Sequence, residues 1–244
     1  MNKTGISWTD LTWNPVSGCN KVSPGCQNCY AEAFSHRWRR SFEVTLHPEK
    51  LREVRKIPSG SKVFVNSMSD LFHEKVPFSF IQKVMEAIES RPDVIFQVLT
   101  KRPERVIDYE WPDQNISPPL PDNLWLGVSV EMALYWERID LLRQTGARTK
   151  FISFEPLIGD VGIIDFSYIS WAIIGGESGP HHRPMNIEWA RSIVTQAKEQ
   201  GVKVWMKQLG GLHPGGSIDD FPEDLRIQEF PTPMLLPTAK EESL

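Results

Sequence analysis

Three cysteines stand within one stretch of eleven residues, Cys19, Cys26 and Cys29, and none follows in the remaining 215 positions (244 minus 29). The segment reads WNPVSGCNKVSPGCQNCY, a C-x6-C-x2-C spacing with Gly18 and Gly25 directly before two of the cysteines and Pro24 beside the second. An odd number leaves one thiol over in any disulfide scheme, and cysteines that merely packed a core would be scattered. Clustered thiolates point instead to one shared metal group. On an iron–sulfur cube, three thiolates leave one iron without a protein ligand, and a small molecule can bind there. Glycines let the backbone wrap closely around such a core. The rival is zinc, whose closed structural sites take four ligands and often use a C-x2-C half-site. Its fourth ligand would be His36, His73 or another distant histidine, and His36 lies seven residues beyond Cys29 on an expected helix. Spacing and glycine context favour iron–sulfur over zinc.

Such a loop needs a scaffold, and the rest of the chain supplies a recurring one. Apolar, β-branched runs occur at Val63–Val65, Val94–Leu99, Leu124–Val130, Lys150–Phe154, Trp171–Ile174 and Val202–Met206. Their starts lie 31, 30, 26, 21 and 31 residues apart, which suits βα units and a parallel sheet covered on both faces. Helical stripes fall between them: Phe80, Val84, Ala87 and Ile88; Tyr135, Ile139 and Leu142; Ile187, Ala190, Val194 and Ala197, with Asn186 as N-cap. A weaker strand over Ile6–Trp13 feeds the cysteine loop, and a helix around Tyr30–Arg39 leaves it. The expected fold is α/β, a partial (β/α)6-type barrel of parallel strands. Residues 1–212 form the barrel and 213–244 a partly irregular extension with a frayed tail over Thr238–Leu244, while Trp111–Pro121 is a proline-rich loop.

The strand ends carry the second chemical signal. Four run VFVNSMSD, LWLGVSVE, FISFEP and AIIGGES, apolar residues giving way to a small polar residue or glycine and then an acid, while a fifth ends VLTKRP and a sixth VWMKQLGG. Parallel barrels bind ligands at the carboxyl ends of their strands, so Asp70, Lys101, Glu131, Glu155, Glu177 and Lys207 should converge on one mouth. For any single acid, a first-turn role in the following helix serves as well. Trp125, Trp171 and Trp205 read as barrel-filling core. The run His36-Arg37-Trp38-Arg39-Arg40 mixes charge and aromatics as nucleic-acid contacts do, although a solvated helix face has the same composition.

Composition is that of a soluble globular chain, 40% hydrophobic and 24% charged. A net charge of -4 argues against non-specific binding of bare nucleic acid but leaves room for a local basic groove. No apolar run approaches a membrane span, and MNKTGISWTD has no signal-peptide core, so the expected place is the cytoplasm with no membrane partner.

As a set, several stretches resemble a phage- and prokaryote-associated family of radical S-adenosylmethionine (SAM)-like proteins of unassigned activity, known by a three-Cys motif. They are Trp13-Asn14-Pro15, Gly18-Cys19 to Cys29-Tyr30, Ser67 to Phe72, Thr100 to Arg105, Gly127 to Glu131, Ser153 to Leu157, Gly175 to Gly179 and Lys207-Gln208. The resemblance implies a [4Fe–4S] cluster on Cys19, Cys26 and Cys29, with SAM chelated at the open iron and cleaved to a 5′-deoxyadenosyl radical. It implies Tyr30 near the adenine and Asn66, Ser67, Ser69 and Asp70 near the methionine or ribose. Lys101 and Arg102 would meet the SAM carboxylate or an anionic substrate, and Ser129, Glu131, Ser153 and Glu155 the ribose or substrate. Gly175, Gly176 and Glu177 would form a close-approach turn; His181, His182 and Arg183 follow on that loop as candidate phosphate contacts, although an exposed His-His pair is more often inert. Glu155, Glu177 and Lys101 are the catalytic candidates. The sequence departs from the commonest C-x3-C-x2-C spacing, and its Gly-Gly-Glu follows a late strand, so that motif's usual methionine contact is not carried over. Implied partners are a small-molecule or nucleotide substrate, an electron donor such as flavodoxin or ferredoxin, and nucleic acid. A metal-binding regulatory module without catalysis and a DNA-repair lyase are the alternatives.

Overall fold

The computed structural model describes residues 2–111, 120–212 and 216–232. Near the N-terminus come β1 (Asn2–Lys3), β2 (Leu11–Trp13) and β3 (Val16–Ser17), then the cysteine loop, α1 (Tyr30–Arg37) and β4 (Thr45–Leu46), which pairs with β3. The repeating part follows as β5 (Lys62–Val65), α2 (Phe78–Glu89), β6 (Ile95–Thr100), α3 (Pro103–Glu110) and β7 (Leu124–Ser129). It continues as α4 (Glu137–Gln144), β8 (Thr149–Phe154), β9 (Trp171–Gly175), α5 (Ile187–Glu199) and β10 (Lys203–Gln208). The six apolar runs are all strands that start within two residues of their expected positions, whereas the weaker strand expected over Ile6–Trp13 is confined to Leu11–Trp13. Tyr135 falls in a short 3-10 turn before α4 rather than in the helix, and Asn186 caps α5 by accepting from Glu188 N at 3.0 Å.

The sheet order is β1-β2-β5-β6-β7-β8-β9-β10, parallel throughout except for β1 against β2. The sheet curls. Four strand spacings of about 4.8 Å would put β5 and β9 about 19 Å apart on a flat sheet. Yet the Trp8 ring lies 4.7 Å from Phe64 on β5 and 6.1 Å from Trp171 on β9, centroid to centroid. The result is a half-barrel with seven parallel strands.

Strand alternation divides the buried side chains into two sets. Val63, Val65, Phe96, Val98, Leu126, Ile152, Ile174 and Val204 face the helices. Trp8, Phe64, Trp125, Phe151, Trp171, Ile173 and Trp205 face inward and fill the floor of the barrel. The described part of the extension closes that floor. Glu229 N donates to Val204 O at 2.8 Å, and the Phe230 ring packs 4.6 Å from Trp205 and under Lys62 Nζ at 4.3 Å. Most of the expected proline-rich loop (112–119), and the tail from 233 with its expected frayed end at 238–244, lie outside the described residues.

Toward the carboxyl ends the inward positions turn small at Ser129, Ser153 and Gly175, and Gly127 lies level with Phe151 in the floor. A Cβ at Gly127 would sit 2.4 Å from the Phe151 ring, so the floor itself requires glycine there. Among the described residues no helix is long and apolar enough to cross a membrane.

Candidate functional site

The cysteine loop lies across the carboxyl ends of the strands and is fastened at both flanks. On one side Gly18 N donates to Met68 O and Cys19 N to Phe42 O, each at 3.1 Å. Gly18 has φ +84, and a Cβ there would lie 2.1 Å from the Glu43 carbonyl oxygen. At Gly25 a Cβ would lie 2.3 Å from Glu131 Oε1. Both glycines are therefore demanded by the chain packed beneath the loop.

Two strand-end carboxylates hold the other flank. Glu131, fully buried, accepts from Ser23 Oγ at 2.6 Å and from Arg138 Nη1 at 2.9 Å, with Lys101 Nζ 3.5 Å away. Glu177 accepts from Asn28 Nδ2 and Arg183 Nε, each at 2.9 Å, while Arg183 Nη2 donates to Pro24 O at 3.0 Å. Burial alone would raise the Glu177 pKa. The bonds from Arg183 and Asn28 outweigh it and leave the carboxyl below its ordinary value.

The three cysteines are half-buried and unpaired. Arg102 Nη1 lies 3.6 Å from Cys19 Sγ and pairs with Asp70 at 3.1 Å, while Ser23 Oγ is 3.7 Å from Cys26 Sγ. Burial, then the Asp70 carboxylate, push the Cys19 thiol up to about 11 against the opposing pull of Arg102. It is thus a protonated thiol that a metal would have to deprotonate. Among the described residues no three His, Cys, Asp or Glu side chains are gathered tightly enough for a single ion. Cys19 and His73 share a cavity of about 300 Å³. That imidazole is committed at both nitrogens: Nδ1 accepts from Lys75 N at 3.0 Å, so Nε2 carries the hydrogen and donates to Asn20 Oδ1 at 2.9 Å. Burial, then the Arg102 guanidinium, lower its pKa below the ordinary imidazole value. Three soft sulfurs are the donor type of a three-thiolate iron–sulfur site, and the committed His73 imidazole is not free to complete a zinc tetrahedron at Cys19.

Inside the mouth, Lys207 Nζ pairs with Glu155 Oε1 at 2.5 Å, and a Cβ on neighbouring Gly175 would make ordinary 3.5 Å contacts with both side chains. Ser129 and Ser153 are register partners on β7 and β8 and are buried. The six converging charges are thus linked among themselves or to the cysteine loop. Gly176 differs from the expected ligand-facing turn: its close neighbour is the Leu209 carbonyl oxygen, 2.2 Å from where a Cβ would be.

The remaining predicted residues serve the loop's support. Asp70 accepts from Phe72 N, Thr100 Oγ1, Lys101 N and Arg102. Ser67 donates to Asn14 Oδ1, Ser69 to Val16 O, and Tyr30 Oη to Ser67 O. Asn66 takes φ +61 at the end of β5, accepts from Val16 N, and keeps its buried Nδ2 without a partner among the described residues. His181 and His182 are exposed, although His181 O accepts from Asn28. Sequence reasoning missed Arg138, Ser23 and Asn28. Arg138 had a readable signal, a charge at i+3 within the buried stripe of Tyr135, Ile139 and Leu142. Ser23 and Asn28 had none.

No curated protein matches the sequence. Among solved structures, spore photoproduct lyase complexed with dinucleoside spore photoproduct superposes with a TM-score of 0.52 at 11% identity. The match covers 81% of this chain and 63% of that one, so this chain spans less than two thirds of its neighbour's length. It establishes a shared fold, a partial α/β barrel. A family described as a protein of unknown function, DUF5131, matches residues 3–229, and the chain belongs to that family.

Proposed function

We propose that this chain is a cytoplasmic radical enzyme that binds a [4Fe–4S] cluster through Cys19, Cys26 and Cys29, uses SAM, and acts on a nucleotide or nucleic-acid substrate. The observation that carries this reading is the placement of three unpaired thiols over the open mouth of a radical SAM-type barrel, on a loop anchored by buried carboxylates. When bound, the cofactor pair supplies reductive cleavage of a sulfonium to a 5′-deoxyadenosyl radical that removes a hydrogen atom from substrate. The protein's part is placement and exclusion of water. Glu131 and Glu177 fix the loop. Arg102 offsets thiolate charge at Cys19, and hydrogen bonds to cluster sulfurs tune potential. Lys101, Ser129, Ser153, Glu155 and Lys207 present polar groups to whatever enters from above, with Tyr30 at the rim beside the adenine position. Asn66 offers one unsatisfied donor near the same edge. An external one-electron donor of the flavodoxin or ferredoxin type completes the reaction. In this reading residues 1–212 act as the barrel domain with 213–244 as its extension.

The test is anaerobic reconstitution with iron and sulfide, then reduction in the presence of SAM. About four irons per chain and formation of 5′-deoxyadenosine are expected. Single Cys→Ala changes at 19, 26 or 29 should abolish both. One tightly held zinc per chain and no 5′-deoxyadenosine would replace this reading with that of a structural metal module.

A further inference from the structure

Helix α1 begins directly at the last cysteine, with Cys29 as its N-cap, and carries an aromatic stripe that no described residue covers. Tyr30, Phe34 and Trp38 follow at i, i+4 and i+8 and are 50%, 52% and 61% exposed. Burying even one such ring elsewhere in the fold would stabilise it, and Ala31 and Ser35 are the α1 residues turned inward. The Phe34 and Trp38 rings stand 6.2 Å apart and tilted by 56°.

Cations surround the far end of this stripe. Arg37, Arg39 and Arg40 are exposed and have no acidic partner among the described residues, whereas the one acid of α1, Glu32, is already paired with Lys21 at 3.0 Å. The helix closes through Arg40 N donating to Ser35 O at 2.9 Å, which places Arg39 at φ +51. That left-handed position ordinarily selects glycine, and a side chain there costs about 1 kcal/mol. An arginine held at a strained, solvent-facing position is better explained by its charge than by packing.

From these features we infer that the exposed face of α1 is a docking surface for single-stranded nucleic acid. Rings give sequence-tolerant stacking and arginines neutralise phosphates. The spacing selects the single strand. Four helical residues advance about 6 Å, so successive rings are too far apart to meet successive bases of a duplex, stacked about 3.4 Å apart along each strand. Splayed bases can reach them. The near end of the stripe is Tyr30, whose hydroxyl bonds to Ser67 O at the rim of the barrel. A strand lying on α1 therefore runs toward the mouth, and delivery of one of its bases for chemistry rests on the radical-enzyme reading. Binding itself does not.

The experiment is fluorescence anisotropy of labelled oligonucleotides of about 12 nucleotides with the anaerobically purified full chain, without SAM, across about 50 to 200 mM salt. Single-stranded DNA or RNA is expected to bind more tightly than the matching duplex. Phe34→Ala and Trp38→Ala should each weaken binding about fivefold or more. Changing Arg37, Arg39 and Arg40 together to Gln should reduce the slope of log K against log salt by about 2. Arg39→Gly guards against misfolding as an explanation, since it relieves the positive φ and should raise thermal stability while weakening binding. Equal affinity for duplex, absence of binding by the wild type, or unchanged affinity in the Phe34 and Trp38 variants overturns the inference. Such a result leaves 5′-deoxyadenosine formation unaffected, just as failure to form that product leaves strand binding unaffected.

Discussion

Glu131 Oε1 stands 2.6 Å from Ser23 Oγ, across 108 residues of sequence. A fully buried carboxylate just past β7 thereby positions the loop that bears all three cysteines, and Arg138 neutralises it from α4 at 2.9 Å. The loop's geometry is thus set by the barrel it covers.

Glu131→Ala should destabilise the fold by about 3–5 kcal/mol, because it leaves the Arg138 guanidinium buried without its counter-charge. Urea denaturation measures this. Iron retained after reconstitution should fall in parallel, since Ser23 loses its anchor. A Glu131→Ala protein with wild-type stability and iron content would contradict the clamp.

Glycine substitutions should rank by what lies beneath them. Gly18→Ala meets a backbone carbonyl oxygen at 2.1 Å from a positive-φ position and should prevent the loop from closing. Gly25→Ala meets the Glu131 carboxylate at 2.3 Å, a side chain pinned by Arg138, and should cost about 1–3 kcal/mol. Gly5→Ala, with nothing within 4 Å, should be neutral. Thermal midpoints and iron content of the three variants test the order.

The Glu177–Arg183 pair predicts an acid limb. The Glu177 pKa is depressed below its ordinary 4.5, so the stabilisation is complete above that value and is lost as pH falls through the lowered one. Arg183→Gln should cost about 2 kcal/mol at pH 7. That difference should shrink steadily below about pH 4.5, as read by urea denaturation of metal-free protein. A difference independent of pH would show that Arg183 acts through packing alone.

Phe230→Ala should destabilise the barrel floor by about 1–3 kcal/mol, since the ring packs on Trp205 and Trp171. Near-ultraviolet circular dichroism should change in the tryptophan region. Iron binding at the opposite end should persist.

Much of this arrangement was readable from residue order. Near-continuous β-branched runs at βα spacing allow little except a parallel sheet with both faces covered, and Trp125, Trp171 and Trp205 within those runs read as the barrel filling they are. The charges at the strand ends followed because a strand's carboxyl end is where its chain leaves the core. Three clustered cysteines named the donor set that is proposed. What tertiary structure decided is which partner each charge meets. Curling brings Glu131, Glu177 and Asp70 to a loop more than 40 residues away in sequence, and no local pattern encodes that meeting. The roles of Gly18 and Gly25 likewise depend on what lies beneath them, the Glu43 carbonyl and the Glu131 carboxylate, and His73 is committed through Asn20. Periodicity records which way a side chain points; closure of the sheet determines what stands opposite.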